Sequence, residues 1–310
     1  MLSRYLNDGR VPETVDDVLD AFEAHLRTAR GATTATCRGY TFFVGEFLRT
    51  TFRTSPLRLL ELSADDVISF VAGRAARSSP GTAKLVTTAL RSFFHYLQVL
   101  GLCPEHLVDA IPIVAFWKRS QLPKVLDDEQ LAGFLQAFDR ATPLGRRDYA
   151  MALCLAHLGL RAVDVAGLTL DDIDWRRGVV RLGGKPRRIS VLPLPATVGH
   201  AIVEYLRRGR PATSHRAVFV RHAVPIRPLD RCGVRAAIRR AFDRSSVPVP
   251  SKGSHVLRHT AATRMLRSGA SLKDLADVLR HRSLDTTLIY AKVDLPRLSE
   301  VALPWPGEEA

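Results

Sequence analysis

The chain has 310 residues, 46% hydrophobic and 25% charged, with 20 Gly and 18 Pro. This balance excludes collagen-like, low-complexity and wholly disordered chains, and the length has room for two domains of about 100–200 residues each. Lys and Arg number 45 against 31 Asp and Glu, a net charge of +14, so a polyanionic partner, most often nucleic acid, is one reading and an Arg-rich genome-wide composition is the other.

The opening residues, MLSRYLNDGRVPETVDD, lack the apolar core of a secretion signal. Thr14 followed by Asp16 and Asp17 reads as a helix cap with first-turn acids, and Gly31 ends that helix. Thr33 or Thr34 starts a second, with Tyr40, Phe43, Phe47 and Leu48 at helical spacing. Ser63 caps a third helix. Ser79-Pro80 opens a fourth, with Leu85, Leu90, Phe93, Phe94 and Leu97 on one side. A four-helix bundle over residues 1–103 is expected.

Residues 104–124 carry Pro104, Pro112 and Pro123 and the basic run WKRSQLPK, and read as a linker running over a surface. A second domain is expected over 125–310, starting at the acidic helix opening Asp127-Asp128-Glu129. One helix over 145–158 ends at Gly159, and another begins near Ala162. The longest apolar run, 149–160, is about 12 residues, too short to span a bilayer. The runs VVRL and RISVL, parted by Gly183-Gly184 and Pro186, predict a small antiparallel meander. Helices follow over 195–208, 230–244, 254–268, 271–280 and 285–293, with a short strand at 218–220. The fold class is therefore mainly α with a small antiparallel sheet.

The charge is uneven along this order: residues 1–124 hold 15 cations and 12 anions, and residues 125–310 hold 30 and 19. Of the 45 cations 38 are Arg, whose planar fork suits phosphate better than the point charge of Lys. The four cysteines, at 37, 103, 154 and 232, form no C-x-x-C pair. That argues against a zinc ribbon or disulfide scaffold and fits a reducing cytoplasm.

His255 and Arg258 are three apart at a predicted helix start, where shared face and backbone N–H groups suit a phosphate. His281 and Tyr290 follow. Taken singly, each has a plain structural reading: Arg161 as a helix C-terminal cap, Lys185 as a solvated turn residue, Tyr290 as core. Together, Arg161, Lys185, His255, Arg258, His281 and Tyr290 resemble the active site of the tyrosine recombinases, the phage integrase family. The strings HLGLRAVDVAGL, HVLRHTAATRMLRSGA and LRHRSLDTTLIYAKV match the family's boxes. Arg280 departs from the resemblance, since the family often has Gly before this His.

The resemblance implies an N-terminal core-binding, SAM-like helical domain followed by an α+β catalytic domain, clamped around double-stranded DNA. It implies that Tyr290 attacks the scissile phosphorus and leaves a 3′-phosphotyrosine and a free 5′-hydroxyl. Arg161 and Arg258 clamp the non-bridging oxygens, His255 accepts a proton or donates, His281 binds a phosphate oxygen, and Lys185 protonates the leaving group. Asp164 is expected to buttress the site and His259 to pack behind it. No metal or cofactor is expected. The implied partners are inverted-repeat DNA sites, three further copies in a tetrameric synapse and related recombinases, in the bacterial cytoplasm at the nucleoid and with no membrane association. The simple two-domain layout resembles chromosome-dimer resolvases and transposon-borne recombinases. A type IB topoisomerase-like enzyme and a catalytically silent DNA-binding accessory are the alternatives. The apolar strip over 294–305 is expected to dock on a neighbouring copy or on its own domain.

Overall fold

A computed structural model describes residues 14–53, 56–114, 122–183, 190–280 and 287–291. The chain divides into two compact units, Met1–Lys118 and Arg119–Ala310, each with its own apolar core. No described helix is long and apolar enough to cross a membrane.

The first unit contains α1 (Val15–Thr28), α2 (Thr34–Phe52), α3 (Ala64–Ala76) and α4 (Pro80–Val99). Each begins at a hydroxyl cap. Thr14, Thr33, Ser63 and Ser79 accept the backbone N–H three residues on, at 3.1, 3.3, 3.2 and 3.2 Å, which satisfies a donor that the first turn otherwise leaves open. The helices bury Phe22, Phe47, Phe93 and Phe94 completely. Phe22 meets Phe93, and Phe47 meets Phe94, edge to face at 5.3 and 5.8 Å, a favoured aromatic geometry. Leu107 and Ile111 are buried in the same core. The stretch expected to leave the unit as a surface linker from Pro104 is thus packed as far as Ile111, because Leu107 and Ile111 are apolar and join the core of the bundle. Most of the basic run beyond it, residues 115–121, lies outside the described residues.

The second unit is built around α6 (Pro143–His157), which buries nearly every side chain from Ala150 to Ala156. Before it comes α5 (Asp128–Gln136), capped by Asp127 with a reciprocal Gln130 contact; after it comes the short α7 (Ala162–Gly167). A three-stranded antiparallel sheet follows in the order β1 (Ile173–Asp174), β2 (Val179–Leu182), β3 (Ser190–Pro193). Val180 pairs with Leu192 and Arg181 with Val191. Strand alternation sends Val180 and Leu182 into the core and Arg181 out, as the period of two requires. The segment 218–220 is fully buried but is not a ladder strand. It makes isolated bridges at its ends, Ala217 to Thr169 and Val220 to Pro228, because its neighbours are loop segments.

Helices α8 (Ala196–Arg208) and α10 (Ser254–Arg267) pack on α6. With α9 (Arg231–Arg244), α11 (Leu272–Val278) and α12 (Leu288–Ala291) they complete the described fold. The start of the unit is tied to α10 by one buried bond: the Leu126 N–H donates to Thr260 Oγ at 2.9 Å, and both residues are buried. Thr260→Val keeps the shape and strands that N–H. It should therefore destabilise the second unit by about 1–3 kcal/mol, read as a lower urea midpoint; an unchanged midpoint would show that the bond contributes nothing.

Candidate active site

Arg161 stands at the N-cap position of α7, not at a helix C-terminus, because Gly159 (φ 63°) turns the chain directly after α6. The left-handed backbone favours glycine there, and an added Cβ would lie 2.8 Å from Leu279 Cδ2. The turn therefore packs tightly on the end of α11. Asp164 closes α7: its Oδ2 accepts the Arg161 N–H at 3.0 Å.

Arg258 lies on the first turns of α10 and is only 6% exposed. Its guanidinium donates to the carbonyl of Gly159 and, at 2.6 Å, to that of Leu279. Burial and the nearby Arg161 and Arg280 push its pKa down to about 10, so it stays charged at neutral pH. The Arg161 guanidinium donates to the carbonyl of Arg280 at 3.3 Å. The two arginines thus grip adjacent carbonyls of one turn.

Tyr290, on α12, is buried in a small satellite core with Ala262, Leu266, Leu275 and Leu279. Its hydroxyl lies 2.7 Å from Nδ1 of His259. Burial pushes the phenol up to about 12, although the positive charges of Arg258 and Arg161 pull it the other way. A protonated hydroxyl is therefore held beside two guanidiniums that favour its anion. His259 is pushed down to about 4 by burial, then by His255 and Arg258, and is neutral at pH 7.

The structure thus brings Arg161, Arg258 and Tyr290 into one electrostatic neighbourhood. His255 stands exposed on the first turn of α10, close enough to act on His259. Lys185, His281 and the strip over 294–305 lie outside the described residues. The contact of His259 with Tyr290 is one that the sequence reading, which packs His259 behind the site, does not contain. Its partner lies 31 residues further on, and adjacent residues such as Arg258 and His259 point different ways on a helix, so no local spacing signals it.

The same unit carries a basic surface. Helix α9 buries Val234, Ala237, Ile238, Ala241 and Phe242 and exposes Arg231, Arg235, Arg239, Arg240 and Arg244. Arg231, Arg235 and Arg239 recur every four residues and form one stripe.

Residues 124–296 match the phage integrase family. The integrase/recombinase y4rA of Sinorhizobium fredii is 45% identical over 298 residues, spanning 96% of this chain and 73% of the relative. The tyrosine recombinase XerD of Listeria monocytogenes is 31% identical over 93% of this chain and 97% of its own length. Among solved structures, the XerH site-specific recombinase bound to a palindromic difH substrate, in a post-cleavage complex, superposes with a TM-score of 0.72 at 20% identity. That superposition covers 93% of this chain and 83% of that one.

The lowered pKa of His259 has a consequence for stability. A histidine ordinarily titrates near 6.5. One whose pKa falls on folding contributes stability that is complete above about 6.5 and is lost as pH drops toward about 4. Because His25, His157 and His222 are also lowered, the informative quantity is a difference between proteins. His259→Asn removes one titrating group, so its stability should fall less steeply than wild type between pH 6.5 and 4 in urea melts. Parallel slopes would mean that His259 titrates normally.

Proposed function

The chain belongs to the phage integrase family of tyrosine recombinases, enzymes of site-specific recombination, and from that membership we propose that it cuts and rejoins duplex DNA through a 3′-phosphotyrosine at Tyr290. The observation that supports this most directly is the Tyr290 hydroxyl 2.7 Å from Nδ1 of His259, the residue next to Arg258, where the charges of Arg258 and Arg161 favour its anion against burial. In the proposed step the Tyr290 oxygen bonds to phosphorus while the bond from phosphorus to the 5′-oxygen breaks. Charge that builds on the non-bridging oxygens meets the two guanidiniums, the kind of preorganised donors that stabilise such a transition state. His255 accepts the phenolic proton as the bond forms and, once protonated, donates to a phosphate oxygen. His259, neutral and already hydrogen-bonded to the phenol, holds the nucleophile in place beforehand. His281 donates to a phosphate oxygen, and Lys185 protonates the departing 5′-oxygen.

Rejoining is the reverse: a 5′-hydroxyl from the partner duplex attacks the phosphotyrosine and releases Tyr290. The ester keeps the bond energy, so the cycle is isoenergetic and draws on no nucleotide. Exchange between two duplexes involves four strands and hence four protomers, a tetramer assembled on inverted-repeat sites, with related recombinases as further partners. The first unit is assigned as the core-binding domain and the second as the catalytic domain, with the α9 arginine stripe on the phosphate backbone. Affinity dominated by such contacts falls steeply with salt.

Tyr290→Phe removes the nucleophile and keeps the packed ring. On a nicked suicide substrate it should give no SDS-stable adduct while binding a half-site nearly as wild type does; an adduct from the variant would displace Tyr290 from the role. Wild-type protein that forms no adduct would instead be a silent accessory, and one that relaxes supercoils without exchanging strands would be a topoisomerase.

Lys185→Ala should be defective on ordinary DNA and largely rescued on a substrate with a 5′-bridging phosphorothiolate, because a thiolate leaves without a proton. Equal defects on both substrates would assign the acid elsewhere.

A further inference from the structure

Arg280 occupies the position just past the end of α11, where Leu279 is the C-cap. Its φ is 52°, the left-handed conformation that helix ends most often give to glycine. Its Nη1 is buried with no hydrogen-bond partner among the described residues. A glycine would remove both local costs at once, yet the chain keeps an arginine. Unfavourable local features of this kind persist where the surroundings fix them and tend to gather at functional sites.

What fixes Arg280 is Asp164. Nη2 of Arg280 donates to Asp164 Oδ1 at 2.8 Å, and the two side chains are only 19% and 10% exposed. The other carboxylate oxygen of Asp164 receives the Arg161 N–H at 3.0 Å. Arg161 in turn donates its guanidinium to the carbonyl of Arg280 at 3.3 Å. The three residues form a closed ring, with the side chain and the carbonyl of Arg280 facing opposite ends of the same neighbour pair. Arg258 holds the adjacent carbonyl, that of Leu279.

We propose that Arg280 is a positioning residue for the recombination chemistry: through its ion pair with Asp164 it fixes the Arg161 backbone and the carbonyl that aims the Arg161 guanidinium. The proposal rests on the reading that Arg161 and Arg258 hold the scissile phosphate. In this role Arg280 acts through Asp164 and Arg161 rather than on the phosphate, because its Nη2 is committed to the carboxylate. Without the ion pair, Asp164 loses one of its two anchors, and Arg161 keeps its charge but loses its fixed direction. Small misplacement of a catalytic group is costly even when binding is intact.

The test is single-turnover cleavage of a nicked suicide substrate at saturating protein, alongside half-site affinity and thermal midpoint. Arg280→Gly suits the backbone and removes the side chain. It should leave the protein folded at the assay temperature and half-site affinity within about twofold, and slow cleavage roughly tenfold or more. Arg280→Lys should recover part of the rate, because an ammonium still reaches the carboxylate but lacks the fork. Asp164→Asn should slow cleavage as well, and combining it with Arg280→Gly should add little, as expected for residues acting in one network.

Wild-type cleavage by Arg280→Gly would overturn the proposal. So would effects of the two substitutions that simply multiply, or a loss confined to half-site affinity, which would make Arg280 a DNA contact. Failure of wild-type protein to form the adduct would strike the underlying reading of the site instead.

Discussion

The buried guanidinium of Arg258 is the constraint on which the rest of the second unit's site depends. A charge removed from water is tolerated only when its donors are used. Arg258 uses them on two backbone carbonyls, Gly159 and Leu279, which belong to the turn after α6 and the end of α11. One side chain on α10 therefore ties three stretches that are far apart in sequence. The Gly159 turn holds a left-handed backbone that favours glycine, and the same turn delivers Arg161. Leu279 adjoins Arg280 and also lies in the small core that receives the Tyr290 ring. Removing the Arg258 guanidinium would do more than delete a charge. It would leave two carbonyls unpaired and loosen the frame of the remaining residues.

That frame is electrostatically one-sided. Arg161 and Arg280 both make it harder for Arg258 to hold its proton. Asp164 is the counter-charge, and it is engaged with Arg280 and the Arg161 backbone. An anion entering between Arg161 and Arg258 would relieve their mutual repulsion, and by reciprocity their charge would tighten its binding. Tyr290 has the complementary problem. Its phenolate would be welcome beside the arginines, but burial outweighs them and keeps the proton on. The neutral His259 suits this resting arrangement, since a charged imidazole at that position would add a further cation to an already crowded set.

Much of the architecture was legible in the sequence, because its signals are local. Thr14, Ser63, Ser79 and Asp127 announce helix starts by side-chain chemistry that acts within three residues. The VVRL run sits in the predicted meander because period-two alternation is a property of a few consecutive residues. The spacing of Arg161, Arg258 and Tyr290 was legible through family resemblance, and they do cluster. The features that were not legible depend on partners far along the chain. Leu107 and Ile111 look like linker residues until they are seen buried in the core of the first unit. The 218–220 segment has the composition of a strand but lies among loops. His259 and Arg280 acquire meaning only through Tyr290 and Asp164, which no periodicity connects to them.

The same logic bears on the arginine count. A net charge of +14 invites the view that every arginine faces a polyanion, but the structure divides them by environment. Arg147 is buried, pairs with Asp148 at 2.7 Å and donates to the carbonyl of Val220; its charge is spent inside the fold. Arg258 is likewise internal. Arg216 and Arg140 are exposed but paired with Asp171 and Glu204, which cancels much of their reach in salt. The stripe on α9 stands at the other extreme, exposed on a helix whose opposite face is wholly apolar. In the proposed reading, long-range attraction of a polyanion falls to that last class, and the chemistry to the internal guanidiniums of Arg161 and Arg258. On that reading net charge would act on how the chain meets its partner, and the few guanidiniums in low-dielectric surroundings would act once the two have met.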